Sequence, residues 1–266
     1  MTFQPVVPLA GYGGWRFLTR TIETQREAFG QSPQLEREKA YFRETIANAK
    51  TAEDLVSDRR LLTVALGAFG LDADIGARAF IREILEEGTI ERDALANRLA
   101  DPRYRQLSLT FGYGDLGART GLSGFADQVL ARYEARRFEQ AVGEQDNSMR
   151  LALNLKSGLD DLLKDTTAGD ARWFAMMGNK PLRTVFETAL GFPSSFGSLD
   201  IDLQLDQFRD RARSVFGTDQ LADFAEPEQQ EKLIRLFLIR DQAQQVSSFG
   251  TGSIALALLQ SAPRLF

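Results

Sequence analysis

What most constrains this chain is how often it starts and stops helices. Acid–Pro pairs and Ser, Thr, Asp or Asn caps open apolar runs of helical period, and Gly closes them. Trp15 to about Ala28 is amphipathic and stops at Gly30. Ser32-Pro33 opens a helix through about Ala49, with Leu35, Tyr41, Phe42 and Ile46 on its inner face. Thr51-Ala-Glu-Asp54 has capping-box spacing, with Asp in place of the usual Glu. Asp58 heads a run of Leu61, Leu62, Ala65, Leu66 and Phe69 that ends at Gly70. Asp72 or Asp74 heads Ile75, Phe80, Ile81 and Ile84, ending at Gly88. Asp101-Pro102 starts a helix to Phe111, Asn179-Lys-Pro181 one ended by Gly191, and Ser198 and Asp200 one to Phe216. Glu226-Pro227 starts the last, to about Asp241. Alternating strand patterns are scarce, so the predicted fold is all-α.

Part of this punctuation repeats. Leu61 to Leu71, LLTVALGAFGL, aligns with Leu182 to Phe192, LRTVFETALGF, at an offset of 121, with identities at Leu61/Leu182, Thr63/Thr184, Val64/Val185, Ala68/Ala189 and Gly70/Gly191. The acid–Pro helix starts at Pro102 and Pro227 follow at an offset of 125. Reused caps alone could produce such a match, but the shared order favours an internal duplication: two related helical modules joined by a long helix. That helix runs from Phe125 to about Lys164, with a break near Gly143 or Asn147-Ser148. Residues 1–14 then form an extended arm, 15–122 the first module, 123–245 the second with the connecting helix, and 246–266 an apolar, low-charge, extended or flexible tail. FGYGDLGARTGLSG, residues 111–124, reads as a flexible linker.

The chemistry available is narrow. With no Cys and no His, the chain lacks thiol nucleophiles, disulfides, the usual zinc ligand sets, Ser-His-Asp triads and the side chain that most often moves protons near neutrality. A net charge of -5 disfavours nucleic acid, which needs a cationic footprint, so Arg132, Arg136 and Arg137 read as a solvated helix face. Gly112-Tyr-Gly-Asp-Leu-Gly117 matches the dinucleotide fingerprint, but a helix precedes it where a strand is required. Asp160-Asp161 and Glu86-Glu87 read as solvated charges, and Trp173, Met176 and Met177 as core. The expectation is a non-enzyme with no catalytic residue, no metal and no cofactor.

Both termini carry apolar anchors that neither segment can bury alone. Phe3, Tyr12 and Trp15 in front, and Phe249, Ile254, Leu256, Leu258 and Phe266 behind, either bind a protein partner or pack back on their own domain. The N-terminus has neither the basic region nor the continuous apolar core of a Sec signal, and the apolar tail segment from Ile254 to Leu259 is too short to cross a bilayer. A protein made in the cytoplasm, without membrane insertion, is the expectation, its oligomeric state open.

YFRETIANAKTAEDLVSDRRLLTVALGAFGLDADI (residues 41–75) and LANRLADPRYRQL (95–107) resemble an uncharacterised family of alphaproteobacterial proteins, the domain-of-unknown-function family DUF1217. FEQAVGEQDNSMRLAL (138–153) and Ser198-Leu-Asp-Ile-Asp202 are similar to that family's second half, so the likeness spans roughly residues 15–240. It carries over no catalytic or ligand residue. Members of the family tend to be encoded among flagellar genes, which implies motility as the context. The leading expectation is therefore a non-enzymatic helical component or assembly factor of the bacterial flagellum, acting through protein–protein contacts. The alternatives are a cytoplasmic export chaperone or adaptor that grips partner helices, and a carboxylate-dependent enzyme with its site between the modules.

Overall fold

The computed structural model describes residues 3–165 and 169–261, with side-chain surroundings described for 3–164 and 169–245. In chain order the helices are α1 (Gly11–Gly30), α2 (Pro33–Thr45), α3 (Ala52–Ser57), α4 (Arg59–Phe69), α5 (Arg78–Glu87), α6 (Leu95–Arg98) and α7 (Pro102–Phe111). Then come α8 (Phe125–Gly143), α9 (Asn147–Asp165), α10 (Asp170–Gly178), α11 (Lys180–Leu190), α12 (Ile201–Phe216) and α13 (Pro227–Ser261). No strand occurs among the described residues, and the fold is all-α. No helix among them is long and apolar enough to cross a membrane.

The helix signals act through specific bonds. The amide of Asp54 donates to Thr51 Oγ1 (3.1 Å) while that of Thr51 donates to Asp54 Oδ2 (2.9 Å), closing the capping box. Asp58 Oδ1 accepts from Arg60 and Leu61 at 2.8 and 3.1 Å. Ser32 occupies the N-cap of α2 but its side chain makes no capping bond, so Pro33 carries that start. Asp146 Oδ1 takes the amides of Ser148 (2.9 Å) and Met149 (3.1 Å), which breaks the long connection into α8 and α9.

The repeated segment is repeated in detail. α4 and α11 are each 11 residues long, capped by Asp58 and Asn179, and both end on a left-handed Gly (Gly70, φ 69°; Gly191, φ 76°). At the first end Leu71 N–H donates to the Leu66 carbonyl and Gly70 N–H to that of Gly67, at 2.9 and 3.2 Å. At the second, Phe192 donates to Glu187 and Gly191 to Thr188, at 3.0 and 3.1 Å. The order of elements that follows also recurs: a 3-10 turn, a helix, a short helical turn, then the helix opened by acid–Pro.

Each central helix organises one core. The first gathers Phe42, Leu62, Leu66, Ile81, Phe111 and Tyr133; the second gathers Trp173, Phe186, Phe208, Phe224 and Phe237. In the second, Trp173 stacks on Phe208 and meets Phe186 edge-on, both at 5.9 Å between ring centroids.

Four sequence expectations need correction. First, α1 leaves the module it was assigned to, because its stripe of Trp15 and Leu18 is buried in the second core. Second, no module boundary falls at 122/123, since α8 lends Phe125, Val129 and Tyr133 to the first core and Phe138 and Val142 to the second. Third, segment 111–124 is fastened rather than flexible. Tyr113 and Thr120 hydroxyls both donate to the Ala49 carbonyl at 2.9 Å, and Asp115 accepts from Thr89 N–H (2.5 Å) and Thr89 Oγ1 (3.0 Å). Fourth, the arms are not both extended. The N-terminal arm ends where α1 begins at Gly11, and Gln25 straps it through Val6, accepting from its N–H at 2.6 Å and donating to its carbonyl at 3.2 Å. The last helix runs on from Asp241 to Ser261, since no Pro interrupts the chain between Pro227 and Pro263.

The modules touch closely. A Cβ on Gly178 would lie 1.9 Å from the Ala100 carbonyl oxygen, so only Gly lets α10 approach the turn before α7. Across α8 and α9, Arg132 Nη2 pairs with Asp161 Oδ1 at 3.1 Å. Glu139, buried on α8, accepts from Arg136 Nη1 at 2.9 Å and Asn154 Nδ2 at 3.3 Å. Burial pushes its carboxyl above the ordinary range, and the neighbouring arginines offset only part of that push.

Three consequences can be measured. Leu66→Ala should cost about 2–5 kcal/mol in urea unfolding, and Leu66→Asp should abolish the cooperative transition; a cooperatively melting Asp variant would contradict the core assignment. Gly178→Ala should destabilise by about 1–3 kcal/mol despite the better helix propensity of Ala, so a gain in stability would refute the close approach. Because Glu139 holds its proton more tightly when folded, it favours the fold below the ordinary carboxylate pKa, and this stability is lost as pH rises toward the folded value. The urea midpoint of Glu139→Gln relative to wild type should therefore climb with pH above about 4, and parallel profiles would count against it.

Candidate functional site

The most apolar opening lies where the two modules face each other. α6, the turn before α7 and the start of α7 form one wall; α10 and the starts of α11 and α12 form the other. The cleft holds about 620 Å³ and is lined by Leu99, Pro102, Phe174, Met177 and Ile201, among others. Phe174 is 37% exposed and Ile201 45%. Two large apolar side chains left open at one cleft are a surplus that burial would normally remove.

Local structure explains why they stay outside. Asp200 caps α12 through Asp202 N–H (2.9 Å), so Ile201 and Leu203 fall in the first turn, before the helix commits its inner face through Leu205 and Phe208. On α10, Trp173 and Phe174 are neighbours about 100° apart around the axis, so Trp173 fills the core while Phe174 lies at the cleft. Arg105 and Arg183 also line the opening, and no carboxylate does. Both guanidinium groups are oriented. Arg105 Nε donates to Asn97 Oδ1 at 3.1 Å, and Arg183 reaches Glu187 Oε1 (2.7 Å) and Gln204 Oε1 (2.6 Å).

The anchors expected from the sequence lie elsewhere. Tyr12 Oη donates to Glu231 Oε1 (2.8 Å), Trp15 Nε1 donates to Glu231 Oε2 (3.2 Å), and the Arg235 guanidinium sits 5.6 Å from the Tyr12 ring centroid. These two residues seat α1 on α13 and are not free to hold a partner, which corrects that assignment. Phe3 is half-buried beside Phe29 and Leu35. Phe249, Ile254, Leu256, Leu258 and Phe266 lie outside the residues whose side chains are described. The sequence did offer a trace of the cleft: acids and apolar residues alternate in SLDIDLQLD, residues 198–206, just where Ser198 and Asp200 act as helix-start signals.

Carboxylates from the acid pairs noted in the sequence are engaged elsewhere. Asp161 is engaged by Arg132, Glu86 pairs with Arg82 at 3.7 Å, and Glu87 accepts the Leu95 amide. Asp54 and Asp58 share a shallow depression, but both are capping residues. The Thr51 hydroxyl holds Asp54 below the ordinary carboxylate range. Burial raises Asp58, yet the Tyr41 hydroxyl and two amides outweigh it and leave it low. Among the described residues no cluster of acids is arranged to hold a metal.

A crystal structure of a protein from Agrobacterium tumefaciens is similar to this chain at 28% identity and a TM-score of 0.73, covering 91% of this chain and 99% of that one. No curated protein matches. Residues 68–229 match the family model described as a protein of unknown function, DUF1217. That span is more than half of the sequence, and the chain belongs to the DUF1217 family.

Proposed function

We propose that this chain is a non-enzymatic binding protein of the bacterial flagellum, a structural component or assembly factor, and that the apolar cleft between its modules is where a protein partner docks. The partner segment is an amphipathic helix with acidic residues beside its apolar stripe. The observation that carries this reading is the exposed pair Phe174 and Ile201 in a cleft whose only charged lining residues are Arg105 and Arg183. A helix laid in such a groove buries its apolar stripe, and flanking acids meet the arginines. The flagellar context rests on the family resemblance in sequence. An export adaptor would use the same groove, and location separates the two: recovery with hook–basal bodies supports a structural role, retention in the cytosol an adaptor.

Deleting the gene should impair swimming, and a Phe174→Glu/Ile201→Glu variant should melt like wild type yet fail to restore motility. A deletion strain that builds normal flagella and swims normally would overturn the flagellar reading. Full rescue by the double variant would remove the cleft from it.

A further inference from the structure

Further along α7 lies a second cleft of about 420 Å³, between α7, segment 112–124, the start of α8 and the end of α9. Its charge is unlike that of the molecule. Arg119, Arg132 and Lys164 line it against a single carboxylate, Asp161, in a chain whose net charge is -5. Arg132 is preset: Asp161 accepts from its Nη2 at 3.1 Å and its Nη1 at 3.3 Å, and its guanidinium lies 5.3 Å from the Phe69 ring centroid. The main chain of Arg119 is fixed by its amide bond to the Phe111 carbonyl at 2.9 Å, while its side chain meets no carboxylate among the described residues.

Two further features supply neutral donors. α8 opens on Gly124 (φ 80°) with no side-chain cap; the Phe125 amide bonds the Leu122 carbonyl at 3.1 Å and that of Gln128 the Gly124 carbonyl at 3.0 Å, which leaves the amides of Ala126 and Asp127 in its first turn without an intrahelical acceptor. Gln106 of α7, 8% exposed, also lines this cleft, and among the described residues its side-chain amide meets no hydrogen-bond partner. The amide atoms are not sealed in the core, and an amide that opens onto a cationic cleft is placed to bond a ligand there. Leu109, Leu122 and Phe125 add an apolar wall, and the volume exceeds what a bare ion fills.

We infer that this cleft binds a phosphomonoester, its dianion held by Arg119, Lys164, the first turn of α8 and Gln106, and its organic group against Leu109 and Phe125. Arg132, neutralised by Asp161, positions rather than binds. A phosphate dianion matches the surplus of two positive charges and can accept from several donors at once, whereas a monocarboxylate leaves part of both unmet. This inference does not depend on the docking cleft or on the flagellum, because its readout is binding by the purified chain.

The test is calorimetric titration of the full chain at constant ionic strength with phenyl phosphate, inorganic phosphate and benzoate as probes. Phenyl phosphate should bind saturably and raise the melting temperature, with inorganic phosphate weaker and benzoate weaker still. Arg119→Gln and Gln106→Leu should each weaken phenyl phosphate by roughly tenfold while melting near the wild-type temperature. Arg213→Gln, a surface change elsewhere, should leave affinity unchanged. Absence of saturable binding, or equal affinity in the Arg119 and Gln106 variants, would overturn the site. Inorganic phosphate or benzoate binding as tightly as phenyl phosphate would overturn the ligand class.

Discussion

The structure depends on one helix being buried at both of its ends in two different places. α8 is 19 residues long, about 28 Å, and its first half packs Phe125, Val129 and Tyr133 under α4 while its second half packs Phe138 and Val142 against the aromatic core around Trp173. A rigid rod shared in this way ties the modules together. The two clefts along α7 exist because α8 and the Gly178–Ala100 approach hold the facing walls at a set distance. The protein is two cores along the chain and one mechanical unit.

Around that shared helix the two modules solve the same problem alike. α4 and α11 are short, bury an apolar face, and are stopped by a left-handed Gly that lets the chain turn sharply into the next element. Where they differ is in what surrounds them. The first core borrows half of α8 and is tied by the 112–124 segment to the Ala49 carbonyl. The second recruits α1 from the far end of the sequence and closes it with a single acid, Glu231, bonded to both Tyr12 and Trp15. The second core also carries the aromatic cluster, so its outer helices, α10 and α12, can afford an exposed Phe174 and Ile201.

Of the candidate surfaces, the sequence disclosed little. The strongest apolar anchors in its N-terminal stretch, Tyr12 and Trp15, belong to the interior. Of the residues that form the apolar cleft, Met177 reads as core, and Phe174 and Ile201 carry no signal of their own beside Trp173 and the cap Asp200. Nothing local distinguishes an apolar residue that will meet a neighbour from one that will not. Arg119, Gln106 and Lys164 are likewise unremarkable in sequence, and become a group only when α7, α8 and α9 converge.

By itself the sequence determined the all-α class, the capped starts at Thr51, Asp58, Asp101 and Asn179, the Gly stops at Gly70 and Gly191, the break between α8 and α9, and a chemistry without thiol or imidazole. Each of these is written within a turn or two of helix, where a side chain can reach its own backbone. Only the tertiary structure decided that α1 packs in the second core, that α8 serves both, that the 112–124 segment is fastened, and which polar and apolar groups remain open in the two clefts. Those outcomes are set by partners tens to hundreds of residues away, and the free energy that selects them comes from area buried between helices, which no local pattern records.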